Sequence, residues 1–166
     1  MAIRITSLPN GETEVTETGD GTEFSDRING TDLDGLPQAE VIRGFGDNDI
    51  LSGGRGRDEL FGGDGSDSIT GGRGRDVLKG GSGTDFFTYE YPRDGNDKIT
   101  DFVSGEDWIM LVASGGGGFL LGAEGLAFDA NTNRLTYDYD GIGGLKPVLI
   151  AKLNTDIDLA HDIIFI

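Results

Sequence analysis

The sequence contains no cysteine and a single histidine among its 166 residues. Without cysteine the chain can form neither a disulfide scaffold nor a zinc–thiolate site, and it has no cysteine nucleophile. One histidine cannot build a metal site that needs several histidines. No apolar run approaches the roughly 20 residues of a membrane-spanning helix, so we predict a soluble chain without membrane insertion.

Basic residues are scarce beside acidic ones. The chain has 13 Lys and Arg against 30 Asp and Glu, for a formal net charge of −17. So acidic a surface repels phosphate groups, which argues against nucleic acid and anionic lipid as partners and favours a cationic partner.

Patterns of the common catalytic sites are also missing. The sequence has no HExxH, GxSxG, Walker A or dinucleotide-binding motif, which excludes the enzyme classes that depend on them. A glycosidase or lyase that uses carboxylates alone stays compatible with the many acids, but most of these acids belong to a repeat. We therefore predict that the chain is not an enzyme.

Glycine, with 30 residues, is in excess and recurs with a fixed period. From Gly53 to Thr88 four consecutive blocks read GGRGRDELF, GGDGSDSIT, GGRGRDVLK and GGSGTDFFT. A looser block, GFGDNDILS, begins at Gly44, and the stretches Glu40–Ile42 and Phe24–Gly30 carry the same acid-x-apolar pattern. Aspartates therefore recur every nine residues, at Asp49, Asp58, Asp67, Asp76 and Asp85, each followed two positions later by a large apolar residue.

Each block predicts one turn and one short strand. Glycine favours tight turns with positive φ, so GGxGxD is expected to be neither helix nor regular strand. The next three residues form a strand whose middle side chain points inward. Two blocks close a coil of 18 residues, and stacked coils lie about 4.8 Å apart. One edge then carries Asp49, Asp67 and Asp85, and the other carries Glu40, Asp58 and Asp76. The carboxylates on one edge repel each other, and a bound hard cation relieves this repulsion. Because Ca²⁺ accepts six to eight oxygen ligands in flexible geometry, the ion is expected to be Ca²⁺ rather than Mg²⁺.

The nonapeptide GGxGxDxUx, with U a large apolar residue, resembles the RTX family of secreted bacterial calcium-binding proteins. The resemblance covers about residues 21–101 and implies an all-β fold, a right-handed parallel β-roll. It also implies about four to six Ca²⁺ ions, held between turns by the aspartates and by carbonyls at the second and fourth repeat positions. Those glycines are Gly54, Gly56, Gly63, Gly65, Gly72, Gly74, Gly81 and Gly83.

The segment after the repeats is similar to the one that closes the roll in RTX proteins such as the serralysin proteases. By that resemblance Asp97 and Asp101 complete the last ion sites, although Asp97 follows Asp85 by twelve residues rather than nine. Residues 135–141 and 148–153 alternate as an antiparallel pair, and residues 158–166 end in a short strand. These strands predict an antiparallel cap on the roll. We expect His161 on the surface and Trp108 in the core, with stacking of Trp108 on a sugar as the alternative.

We therefore divide the chain into an N-terminal flank (1–20), the β-roll (21–101) and a C-terminal β cap (102–166). The last five residues, DIIFI, resemble the uncleaved signal of type I secretion substrates, whereas MAIRITSLPN lacks the apolar stretch of a cleavable signal. We therefore predict that the chain is the calcium-binding and export portion of a larger secreted protein. The expected partners are calcium ions and the type I secretion machinery, and the expected location is extracellular. One apolar residue per nine is a thin core, so we predict a repeat region that is largely disordered without Ca²⁺.

One edge also carries a ladder of four arginines. Arg55 and Arg57 occupy the variable positions of one turn, and Arg73 and Arg75 occupy the same positions 18 residues later. The arginines either balance nearby aspartates or bind an anionic polysaccharide such as a uronate polymer, since guanidinium groups bind carboxylates in a bidentate manner. The alternative function is accordingly a carbohydrate-binding accessory module of an extracellular polysaccharide-modifying enzyme.

Overall fold

The computed structural model describes residues 3–7, 13–17, 27–30, 39–112, 125–138 and 146–166. These residues form strands and no helix, and hence no helix long and apolar enough to cross a membrane. The strands are β1 (Ile3–Ser7), β2 (Thr13–Glu17), β3 (Arg27–Asn29), β4 (Glu40–Gly46), β5 (Ile50–Gly56), β6 (Glu59–Asp64), β7 (Ser68–Gly74), β8 (Val77–Ser82), β9 (Phe86–Tyr89), β10 (Asp97–Ile99), β11 (Trp108–Leu111), β12 (Leu126–Asp129), β13 (Arg134–Tyr137), β14 (Val148–Lys152) and β15 (Ile163–Phe165).

Successive repeats alternate between two sheets. Sheet A has the order β1-β2-β4-β6-β8-β10-β14-β13-β12, and sheet B has the order β15-β11-β9-β7-β5-β3. Within the repeats all neighbouring strands are parallel, and Leu51 lies opposite Ile69 just as Leu60 lies opposite Leu78. Each partner is 18 residues along the chain, so the predicted coil of two repeats is confirmed and the fold is a parallel β-roll.

The core of the roll lies between the two sheets and takes one large apolar side chain from each repeat. In β5 the side chain of Ile50 is 47% exposed, whereas that of its neighbour Leu51 is fully buried. The same alternation buries the apolar residue of every repeat: Ile42, Leu51, Leu60, Ile69, Leu78 and Phe87. A fully buried side chain of this kind contributes about 1.5–3 kcal/mol, so the coils depend on one such contribution per repeat.

The strands are longer than the three residues expected. Strands β5 and β7 continue into their turns, where Gly54 pairs with Gly72 and Arg55 with Arg73. The expectation that GGxGxD contains no strand was therefore wrong for its first four residues in β5 and β7 and for its first three in β6 and β8. The turns of successive coils stack in register, so their backbone groups form the same ladder as the strands beneath them.

Both sheets extend beyond the nonapeptides at the N-terminal end. Strand β3 joins sheet B with Ile28 opposite Leu51, as its acid-x-apolar pattern suggested. Strand β2 runs parallel to β4, and β1 pairs antiparallel with β2 at the end of sheet A. No periodicity in the sequence indicated this hairpin.

At the C-terminal end the predicted antiparallel pair is confirmed as β13 and β14, with β12 adding a third strand. Strand β14 continues sheet A next to β10, and β15 continues sheet B next to β11. The placement of Trp108 in the core was wrong, because strand alternation buries Ile109 instead. Trp108 is half-buried on the outer face and stacks on exposed His161, with ring centroids 5.4 Å apart.

Candidate metal centre

The repeat acids form two columns, one along each edge of the roll. In both columns, one carboxylate oxygen accepts a hydrogen bond from the backbone N–H of the acid one coil earlier. These bonds, 2.8–3.0 Å long, run from Glu40 to Asp58, Asp58 to Asp76, Asp76 to Asp97, Asp49 to Asp67, Asp67 to Asp85, and Asp85 to Asp107. The edge assignment expected from the 18-residue coil is thus the one in the structure.

The other carboxylate oxygen has a different environment. In Asp67, Asp76, Asp85 and Asp97 this Oδ2 atom is buried and makes no hydrogen bond within the described part of the chain. A buried carboxylate oxygen left without a partner costs substantial free energy. Each edge of the folded roll therefore has buried oxygen atoms that a cation can satisfy.

The first glycine of each repeat makes room beside this oxygen. A Cβ atom built on Gly53 would lie 2.8 Å from Asp58 Oδ2 and 2.6 Å from the carbonyl oxygen of Gly71 in the next coil. Gly62 has the same surroundings, with Asp67 Oδ2 and the Gly80 carbonyl as neighbours. Glycine thus leaves a cradle lined by a carboxylate and a carbonyl oxygen.

The first-position glycines were missed as candidate ligands because only the second and fourth positions were considered. The first position is glycine in every tandem block, and this is the signal that the sequence offers. Gly53 and Gly62 do not adopt positive φ, so their backbone conformation does not require glycine. Glycines at the second and fourth positions have another requirement. Gly63 and Gly65 adopt φ of +127° and +130°, and a Cβ on either would collide with a carbonyl oxygen of the neighbouring coil.

Carboxylates alone do not complete a site. Within the described residues no three acidic or histidine side chains converge on one point, so backbone carbonyls must supply the remaining ligands. A mixture of carboxylate and carbonyl oxygens on adaptable turns suits Ca²⁺, which accepts six to eight oxygens in flexible geometry, better than octahedral Mg²⁺. The oxygen set and the cradle beside it therefore fit calcium.

The electrostatics of the columns favour a bound cation. Burial raises the pKa of Asp76 to about 6 and of Asp97 to about 8, against the hydrogen bond that each accepts from the previous coil. Burial likewise raises the pKa of Asp85 to about 7, and the charges of Asp107 and Asp67 raise it further. Without a cation these three carboxyl groups therefore hold their protons to a higher pH than an exposed aspartate does.

The last coil departs from the repeat on both edges. Asp97 continues the Glu40 column across an insertion of three residues, because Asp76 lies 21 positions before it. Asp107, which the sequence reasoning missed, continues the Asp49 column, 22 residues after Asp85. Asp107 differs from the repeat aspartates because its Oδ2 accepts a 2.8 Å hydrogen bond from the N–H of Val103. Asp101 accepts hydrogen bonds from the N–H groups of Gly80 and Gly81 at 3.0 Å.

The four arginines of the ladder lie on one edge, and all are exposed. Arg55 is directly opposite Arg73 in the paired turns. Arg73 lies 3.8 Å from the carboxylate of Asp94, so one arginine of the four has an acidic neighbour, as the charge-balancing interpretation expects. Like charges on directly opposite residues destabilise a pair of strands, and Arg55 and Arg73 are such a pair.

These features define a class of protein, namely parallel β-rolls with oxygen-lined metal sites between stacked turns. The model of the RTX calcium-binding nonapeptide repeat, in four copies, matches this sequence at residues 33–60, 43–78 and 61–89. Residues 33–89 of this chain are therefore RTX calcium-binding nonapeptide repeats, and the resemblance seen in the sequence is confirmed.

Two solved structures have a similar fold. The solution structure of the AlgE6R3 subunit of the mannuronan C5-epimerase from Azotobacter vinelandii is 24% identical, with a TM-score of 0.51, and the match covers 90% of this chain and 86% of that one. The AlgE6R2 subunit of the same enzyme is also 24% identical with a TM-score of 0.51, covering 78% of this chain and 92% of that one. No curated protein matches this chain.

Proposed function

We propose that this chain is a non-catalytic calcium module of a secreted bacterial protein, which folds when it binds Ca²⁺ outside the cell and supports type I secretion and stability. The observation that carries the proposal is that Asp67, Asp76, Asp85 and Asp97, two on each edge, have buried Oδ2 atoms without hydrogen bonds among the described residues. Extracellular calcium satisfies these oxygens, whereas the calcium-poor cytosol leaves the chain unfolded for export. In this proposal residues 21–101 form the roll, residues 102–166 cap it and carry the export signal, and about four to six ions bind.

A calcium titration followed by circular dichroism and Trp108 fluorescence tests the coupling. We expect strand content to rise cooperatively with Ca²⁺, and calorimetry to count several ions per chain. Magnesium at the same concentration serves as the control for general charge screening, and it should leave the chain largely unfolded. A chain that is equally structured in excess chelator contradicts the coupled-folding proposal.

The second candidate function is binding of a carboxylated polysaccharide by the arginine ladder. It is supported by the in-register pair Arg55 and Arg73 on an exposed edge of a chain with net charge −17. The similar AlgE6 subunits come from an enzyme named for mannuronan, a uronate polymer, which makes a polyuronate the sensible probe.

The test replaces Arg55, Arg57, Arg73 and Arg75 together by serine and measures polyuronate binding with Ca²⁺ present. The matched control replaces four exposed cations of sheet A, which are Lys79, Lys98, Arg134 and Lys152. We expect the ladder variant to lose at least tenfold in affinity while the control loses much less. Equal losses indicate a net-charge effect, and unchanged affinity of the ladder variant contradicts this function.

A further inference from the structure

A buried carboxylate anchors the last strand of sheet B. Asp162 immediately precedes β15, and its side chain is fully buried. The carboxylate accepts hydrogen bonds from the hydroxyl of Ser104 (2.6 Å), the N–H of Gly105 (2.9 Å) and the N–H of Asp158 (2.9 Å). The ring nitrogen Nδ1 of His161 lies 3.1 Å from the same group. So many donors on one buried carboxylate fix its position.

Two of these donors belong to the loop that carries Asp107. The Val103 N–H donates to Asp107 Oδ2 at 2.8 Å, and the Asp107 N–H donates to the Val103 carbonyl at 2.9 Å, so the loop closes on itself. Ser104 and Gly105 lie inside this closed loop. Asp162 therefore holds the loop from the side of the last strand.

The loop in turn sets the end of the Asp49 column. Asp107 Oδ1 accepts the backbone N–H of Asp85 at 3.0 Å, as each acid of the column does for the one before it. The buried Oδ2 of Asp85 is one of the oxygens without a hydrogen bond. Hydrogen bonds at both ends of the short loop thus connect Asp162 to the backbone N–H of Asp85, the acid of the last complete repeat.

We infer that Asp162 is a positioning residue for the calcium site at Asp85. Docking of β15 fixes the loop at residues 103–107, and the loop holds the backbone of Asp85 in the orientation that directs Oδ2 toward the ion. This inference rests on the proposed calcium function. Because coupling between two events is reciprocal, calcium at this site also favours docking of the last strand. Residues 162–166 consequently have a role in the folded module that is separate from any role in export.

The inference is tested with D162N, which keeps the size of the side chain but replaces one acceptor oxygen by a donor group. The matched control is D129N, because Asp129 is an exposed carboxylate of the cap that bonds only to its neighbours Asn131 and Thr132 among the described residues. We expect D162N to raise the calcium concentration at the midpoint of the titration, read by Trp108 fluorescence, about threefold. The shift is modest because the free energy lost with the hydrogen bonds to a buried charge is divided among several bound ions. D129N should leave the midpoint unchanged.

A double-mutant cycle separates positioning from general destabilisation of the cap. D162N is combined with D85N, on the same column, and with D76N, on the opposite edge. If Asp162 acts through Asp85, its threefold shift falls by at least half in the D85N background and is retained in the D76N background. Equal shifts in both backgrounds overturn the inference.

Two further arms keep the test decisive. If D162N fails to fold, Ser104→Ala removes one donor and leaves the carboxylate in place; it should give a smaller shift with the same dependence on background. Absence of that dependence overturns the inference. A wild-type chain without any calcium response overturns the proposed calcium function as well, whereas additive shifts in a calcium-responsive chain overturn only the role of Asp162.

Discussion

At the scale of single residues, glycine has different requirements at different places in one repeat. Gly53 lies where a Cβ would enter the oxygen-lined cradle beside Asp58. Gly46, in the third position of its block, has open space, with no atom nearer to a Cβ than the Asp64 carbonyl oxygen at 4.0 Å. Glycine is therefore required at the first position of the repeat because it leaves the cradle open, and not because of its backbone conformation.

We expect Gly53→Ala to reduce calcium binding by one ion or to weaken it at least tenfold, because the new methyl group lies within contact distance of two prospective ligand oxygens. Gly46→Ala is the matched control and should bind as the wild type does. Ion stoichiometry by calorimetry, with calcium-dependent melting as a second measurement, distinguishes the two variants. Wild-type stoichiometry and affinity in Gly53→Ala contradict the assignment of the cradle.

At the scale of elements, a strand of the roll has one side chain that holds the coil and two that face outward. In β5 the fully buried Leu51 belongs to the core, while Ile50 on the opposite face is 47% exposed. The coil gains its apolar free energy from the first residue and little from the second. Hydrophobicity of the two residues is nearly equal, so position on the strand decides their contributions.

Leu51→Ala should therefore destabilise the calcium-loaded protein by about 2–5 kcal/mol, the usual cost of removing a large core side chain. Ile50→Ala, on the adjacent residue, should cost about 0.5 kcal/mol, as expected for a surface substitution. Urea unfolding at saturating Ca²⁺, followed by circular dichroism, measures both. Similar losses of stability in the two variants are inconsistent with a core that takes only one of these two side chains.

At the scale of the whole molecule, the net charge of −17 is concentrated in part in two buried columns. Burial raises the pKa values of Asp76, Asp85 and Asp97 to about 6, 7 and 8 in the folded chain. The folded state then binds protons more tightly than the unfolded state. The stability that these groups contribute is fully present below pH 3.8 and is lost as pH rises through these values.

We accordingly expect the calcium-free chain to have more strand content at pH 5 than at pH 8, and calcium affinity to increase over the same interval as protons are released. The carboxyl of Asp162 does not reverse this trend. Burial alone would raise its pKa, but its hydrogen bonds from Ser104 and the neighbouring donors lower it, so it titrates below this range. Circular dichroism after removal of calcium, and calorimetry in two buffers of different ionisation enthalpy, measure the two effects. More strand at pH 8 without calcium, or calcium binding without proton release, contradicts this account.

The nine-residue period by itself determined the coil of two repeats, the buried apolar residue of each repeat and the two aspartate columns, and the resemblance to RTX proteins implied the parallel β-roll. Such features follow from local spacing, because each coil repeats the contacts of the coil beneath it. The period also places Arg55 opposite Arg73. It predicted the candidate site from Asp49 to Asp85 for the same reason.

Only the tertiary structure decided how the repeats begin and end. Asp107 completes a column 22 residues after Asp85, Asp162 secures its loop from 57 residues away, and the β1–β2 hairpin extends sheet A. The outward position of Trp108 likewise depends on the register of β11 against β9. At the ends of a solenoid the next coil no longer supplies the partners of buried groups, so side chains distant in sequence must supply them, and no fixed spacing encodes which ones do.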